Sequence, residues 1–145
     1  MVVSPDGSHI ACVNRYIDIT TIFDLNKRQS LGIVNSDSYT FEFLENEITE
    51  LNAQEKIRNY NVSACATDNG FVVLENGKTL KEIEDDSNSG RENVGLRICG
   101  YDWDGNCLFA HHVDKNIAYV AYNDLSRKLY AIDHINGKLY NCILK

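Results

Sequence analysis

Three segments of this chain repeat one pattern, and that repetition constrains the fold more than any other feature. Residues 22–31 (Ile22-Phe23-Asp24-Leu25-Asn26-Lys27-Arg28-Gln29-Ser30-Leu31), 72–80 (Val72-Val73-Leu74-Glu75-Asn76-Gly77-Lys78-Thr79-Leu80) and 130–139 (Tyr130-Ala131-Ile132-Asp133-His134-Ile135-Asn136-Gly137-Lys138-Leu139) each carry an apolar run, an acid, a short turn rich in Asn, Gly or Lys, and a return strand. Asn-Gly favours a tight hairpin because a type I′ turn needs positive φ at both central residues. The acids at 24, 75 and 133 are 51 and 58 residues apart. Each is preceded by a strand of small residues: Ile10-Ala11-Cys12-Val13, Val62-Ser63-Ala64-Cys65-Ala66 and Ile117-Ala118-Tyr119-Val120-Ala121. Propeller blades repeat on this scale, each built of several strands. The expected fold class is therefore all-β: a single partial β-propeller of about three blades of antiparallel strands over residues 1–145, with approximate blades 1–38, 39–86 and 94–145.

Other stretches fill in the outline. Tyr39-Thr40-Phe41-Glu42-Phe43-Leu44 alternates aromatic and polar as a half-buried strand does. Residues 96–101 and 107–110 read as strands bracketing the turn Asp102-Trp103-Asp104-Gly105-Asn106. Residues 45–59 are ambiguous, with Asn46 placed to cap a short helix. The run 84–93 has no apolar residue and reads as a polar loop, and the acids from Glu82 to Asp86 read as solvated.

Charge and cysteine usage narrow the function classes. Fourteen basic against 21 acidic residues, with no basic run, disfavour nucleic acid and anionic membrane surfaces, both of which call for clustered Lys and Arg. No apolar stretch reaches the ~20 residues of a membrane span, and residues 1–7 do not resemble a signal peptide, so the chain taken literally reads as cytoplasmic. The five cysteines are odd in number and form no C-x-x-C pair, which points to free thiols; Cys12, Cys65 and Cys142 lie in apolar runs and are expected to be buried.

Two stretches resemble a known family. Ser4-Pro5-Asp6-Gly7-Ser8-His9-Ile10-Ala11 is similar to the turn and strand shared by TolB-like and WD40-type propellers. Tyr101-Asp102-Trp103-Asp104-Gly105-Asn106, Val113-Asp114, Ile117 and Arg127-Lys128-Leu129-Tyr130-Ala131-Ile132-Asp133 resemble the C-terminal half of the TolB-like six-bladed propellers found among bacterial envelope lipoproteins, and residues 74–79 fit that repeat too. The resemblance implies a six-bladed ring exported to the cell envelope, often lipid-anchored. It brings no established activity to carry over. The chain departs from the family in lacking a signal peptide and lipid-bearing cysteine and in holding about half the blades.

No sequence motif names a catalytic residue: there is no Gly-rich phosphate loop, G-x-S-x-G or H-E-x-x-H, and no cofactor is expected. Tyr101, Trp103 and His111 are the candidate ligand contacts, with packing in the blade the competing role for Trp103. Asp24, Glu75 and Asp133, if ringed at matched blade positions, are the candidate cation ligands; the competing role is for each acid to hydrogen-bond its own turn. His111-His112 is a poor chelating pair, because successive strand residues point to opposite faces. Asp102, Asp104 and Asn106 open like an EF-hand loop, but Cys107 and Val113 stand where Gly and Glu are required. The expected function is a binding or scaffold module, with a propeller hydrolase or lyase working at a central channel as the alternative. An open arc of blades leaves flat blade faces and sheet edges exposed, so the isolated chain is expected either to self-associate through them or to be marginally stable.

Overall fold

The structure is a computed structural model that describes residues 1–34, 57–90, 95–133 and 135–143. Three antiparallel sheets follow one another along the chain. The first orders β1 (Val2–Val3), β2 (His9–Val13), β3 (Ile19–Asp24) and β4 (Gln29–Val34). The second orders β5 (Arg58–Thr67), β6 (Gly70–Thr79), β7 (Leu96–Asp102) and β8 (Cys107–Val113). The third orders β9 (Tyr119–Asn123), β10 (Lys128–Asp133) and β11 (Lys138–Ile143). All pair with their sequence neighbours, the low-contact-order wiring that short hairpins favour. No helix of the described residues is long and apolar enough to cross a membrane. The expected strand at 39–44 and the ambiguous 45–56 lie outside the described residues.

The sheets stack, and the middle one is covered on both faces. Alternation along β6 shows how. Phe71 and Val73 join Cys99 and Tyr101 of β7 in a core shared with Ala11 and Ile22 of the first sheet. Val72 and Leu74, one residue out of phase, join Leu96 in a core shared with Ile117, Val120, Leu129 and Ala131 of the third. A strand with both faces buried reads as a continuous apolar run rather than an alternating one, which is why Phe71-Val72-Val73-Leu74 has no polar member. Polar bonds add to the seams. Tyr60 N donates to the Arg15 carbonyl at 2.8 Å, and Val120 N donates to Ser63 Oγ at 3.2 Å.

Register relates the sheets to one another. His9 opposes Asp24 across β2 and β3, and Gly70 opposes Asp102 across β6 and β7. Superposing those pairs makes Ile10 equivalent to Phe71, Thr21 to Cys99 and Phe23 to Tyr101. The equivalent points His9 and Gly70 are 61 residues apart. In the third sheet Leu129 and Ala131 face the second.

Three expectations are corrected. The sheets divide the chain differently: β7 and β8, assigned to a third blade, complete the second sheet with β5 and β6. Asn76-Gly77 does not turn the chain. Asn59 opposes Lys78 and Asn61 opposes Glu75, so residues 76 and 77 face Tyr60 alone, and Gly77 (φ 72°) supplies the left-handed residue of a β-bulge inside β6. The polar run is not a loop at its start: α1 (Leu80–Asn88) extends through its first five residues. Its cause is a capping box, in which Thr79 Oγ1 accepts from Glu82 N at 3.1 Å and Glu82 Oε2 accepts from Thr79 N at 2.7 Å. Helix formation needs no apolar face when both ends of the first turn are satisfied in this way.

Candidate functional site

Most of the acids singled out from sequence are tied up in turns. Four-residue connections join β3 to β4, β9 to β10 and β10 to β11. In the first and third, the opening aspartate caps the turn. Asp24 Oδ1 accepts from Asn26 N at 3.0 Å and Lys27 N at 2.9 Å, while Asp133 Oδ1 accepts from Asn136 N at 2.9 Å. Asn123 plays the same part in the second, accepting from Ser126 N at 2.9 Å. Each turn closes on a left-handed residue: Arg28 (φ 55°), Arg127 (φ 51°) or Gly137 (φ 62°). Those bonds favour the carboxylate, so Asp24 and Asp133 ionise below their ordinary range. Asp102 repeats the device, accepting from Asp104 N and Asn106 N at 3.0 and 2.8 Å, and its pKa is lowered, first of all by the Asn106 side chain. This is the capped connection between β7 and β8. Asp6 goes furthest: Ser4 and Ser8 hydroxyls and the Ser8 N–H lower it to about 2.

The proposed ring of Asp24, Glu75 and Asp133 is not assembled. Asp24 closes the third strand of its sheet, where it is equivalent to Asp102, not to Glu75. It also meets His9 Nε2 at 3.6 Å and Lys27 Nζ at 3.0 Å. Glu75 lies mid-strand, bonded to the Arg97 guanidinium at 2.6 and 2.9 Å and to the Tyr101 hydroxyl at 3.2 Å. The sequence pattern matched an acid after an apolar run, and two different structural reasons produce that same pattern. Among the described residues, no three His, Cys, Asp or Glu side chains group as metal ligands do.

The candidate ligand contacts are dispersed as well. Trp103 is a packing residue, its ring 5.4 Å from both His9 and Phe71, so that it bridges the first two sheets. His111 and His112 are both exposed on β8, opposite Ile98 and Arg97, and His111 stacks on Phe109. Tyr101 lines a cleft. The thiols are free, but Cys142 is exposed rather than buried, because β11 is an edge strand and five of its six residues are exposed. Burial pushes Cys65 up to about 11 and Cys99 to about 12, far from a reactive thiolate.

One cleft lies outside the sequence expectation. It is a space of about 330 Å³ between the second and third sheets, where the β5–β6 turn meets β8, β9 and the β9–β10 turn. Thr67, Asp68, Tyr101, Phe109, Tyr122 and Arg127 are among the residues that line it. The Tyr122 hydroxyl is desolvated and bonds to Asp68, and both effects push its pKa up. The cleft therefore offers an aromatic wall, an anion and a cation within one small volume. No single motif marks it, since its residues are spread from Thr67 to Arg127 over separate strands and turns; a local clue is Arg127 closing the Asn123-Asp124-Leu125-Ser126-Arg127 turn. No family model and no curated protein matches this chain.

Proposed function

We propose that this chain is a non-catalytic binding or scaffold module of propeller type, part of a six-bladed ring of the TolB-like kind at the cell envelope, and that the cleft between its second and third sheets receives a side chain from a partner polypeptide. The observation that carries the reading is the state of the chemistry-bearing groups. Catalysis near neutral pH wants an acid raised or a thiol lowered. Here the shifts run the other way: turn-bound aspartates are held ionised, and buried thiols are held protonated. Such groups stabilise loops, and stable loops on stacked sheets present a recognition surface. The cleft is at the small end of ligand-pocket volumes, the size for one side chain rather than a cofactor.

The test is a titration of isotope-labelled protein with capped dipeptides carrying Tyr or Arg, to about 10 mM, beyond the millimolar affinity of a one-residue pocket. Saturable shifts at Thr67, Phe109 and Tyr122, abolished in Arg127→Ala, are expected. A flat response overturns the cleft as a binding site. Turnover of simple ester or amide substrates above the blank would restore the hydrolase alternative.

A further inference from the structure

We infer that His9 is a proton-operated latch between the first two sheets: with its ring protonated it ties Asp24 to the β7–β8 turn through Trp103, and with its ring neutral that tie is released. The inference rests on where the hydrogens around the ring must lie. His9 opens β2 with Nδ1 2.7 Å from Ser8 Oγ and Nε2 3.6 Å from Asp24 Oδ2. Ser8 Oγ also lies 2.7 and 2.8 Å from the two carboxylate oxygens of Asp6. A hydroxyl has one hydrogen to give, and an ionised carboxylate only accepts. Asp6, lowered to about 2 by its serine donors, is ionised throughout the range in which histidine titrates, so the Ser8 hydrogen goes to it. Ser8 Oγ therefore accepts from His9 Nδ1–H. A neutral imidazole carries a single ring hydrogen, so Nε2 then turns a lone pair to Asp24. Asp24 is itself ionised, accepting from Asn26 N and Lys27 N, and has no hydrogen to offer. Two acceptors face each other. Protonation of Nε2 replaces that repulsion with an ion pair and leaves both ring nitrogens donating.

The face of the same ring carries the second sheet. Trp103, in the β7–β8 turn, stacks on His9 with centroids 5.4 Å apart and planes 22° from parallel. A cation at that distance is attracted by the indole face. Trp103 packs on Phe71 as well, so it is anchored in its own sheet. Two residues further on, the turn meets the first sheet again: a Cβ at Gly105 would come within 2.7 Å of Leu31 Cδ2 and 3.3 Å of Ile33 Cγ1, both on β4. The turn thus lies across the end of the first sheet, held at Gly105 by apolar contact and at Trp103 by the histidine ring. Only the second hold changes with charge. Charged groups face the cluster from each element around it. Asp6 and Asp24 belong to the first sheet, and Lys27, in the β3–β4 turn, reaches the same Asp24 Oδ2 at 3.0 Å. Asp104, in the β7–β8 turn, acts on Lys27 in its turn. When His9 is neutral, Lys27 alone neutralises the Asp24 carboxylate, from the solvent side.

Trp103 is the chain's single tryptophan, so its emission reads the contact directly. An imidazolium stacked on indole quenches that emission far more than a neutral imidazole does. The test follows emission of the intact chain from about pH 8 to pH 5, the interval in which histidine changes charge, together with the ring nitrogen chemical shifts of His9. Emission is expected to fall with pH in a one-proton step, and the ring hydrogen to sit on Nδ1 at the alkaline end. His9→Gln is expected to remove the step with circular dichroism unchanged. Asp24→Asn removes the charge and keeps an oxygen to cap the turn, as Asn123 does in its own turn; it is expected to move the step to lower pH. A ring hydrogen on Nε2 at the alkaline end overturns the inference, because Nε2 would then already donate to Asp24. So does pH-independent emission, a step that survives His9→Gln, or a step that Asp24→Asn leaves in place. If His9→Gln fails to fold, the wild-type ring shifts and the Asp24→Asn step still decide. Neither readout depends on ligand binding in the cleft.

Discussion

At the scale of the residue, the aspartates in turns do most to set the molecule's response to pH. Asp6, Asp24, Asp102 and Asp133 ionise more readily folded than unfolded, because backbone and side-chain donors already point at them. Such groups add stability above their ordinary pKa of 3.8, and the contribution is lost as pH falls through the folded values, which for Asp6 means down to about 2. The melting temperature is expected to drop between about pH 4 and pH 2, and Asp6→Asn to lower it at neutral pH while flattening that acid limb. Arg28 presents the opposite case. A side chain in the left-handed region costs about 1 kcal/mol or more, and Arg28 sits there at φ 55° on an exposed turn. Arg28→Gly is expected to raise stability by about 0.5 kcal/mol, after the entropic cost of glycine, as measured by urea denaturation.

At the scale of the element, α1 and the bulge in β6 show what was legible and what was not. Strand positions followed from apolar runs and turn residues, and the Asp102–Asn106 turn falls where its composition placed it. The helix signal was present too, in Thr79-x-x-Glu82, but it lies just ahead of the run 84–93, whose lack of any apolar residue reads as loop. Removing the cap with Thr79→Ala is expected to cost about 1 kcal/mol, with amide exchange rising across residues 80–88. The bulge was harder to read. Asn-Gly suits a hairpin and a bulge equally well, because both want a left-handed glycine, and only pairing with Asn59 and Asn61 decides between them. Pairing partners are non-local, so the assignment of β7 and β8 to the second sheet was hidden for the same reason. The cleft was hidden most completely, since sequence gives no distance between Asp68 and Arg127. Gly70 illustrates a close approach that is also invisible in sequence: a Cβ there would run into the Tyr101 backbone carbonyl. Backbone cannot give way as a side chain does, so Gly70→Ala is expected to destabilise by about 3 kcal/mol.

At the scale of the whole molecule, the two cores meet in one sheet, and the contribution of an apolar residue depends on which side of that sheet it occupies. Leu74→Ala opens a cavity between the second and third sheets and is expected to cost about 2–5 kcal/mol. Ile132→Ala, at a half-exposed position of the third sheet, is expected to cost under about 1 kcal/mol. Chemical denaturation of the two variants measures both costs.

The double coverage of the middle sheet also orders the way the molecule comes apart. Its amides cannot reach solvent until one neighbour has lifted away, whereas the outer sheets can open while the remaining pair stays stacked. Deuterium uptake should therefore be staged: β4 and β11 label first through partial openings, and β6 and β7 last, at the rate of complete unfolding. The central strands thus act as a clock for the global reaction, and the flanking sheets record the smaller fluctuations that come before it.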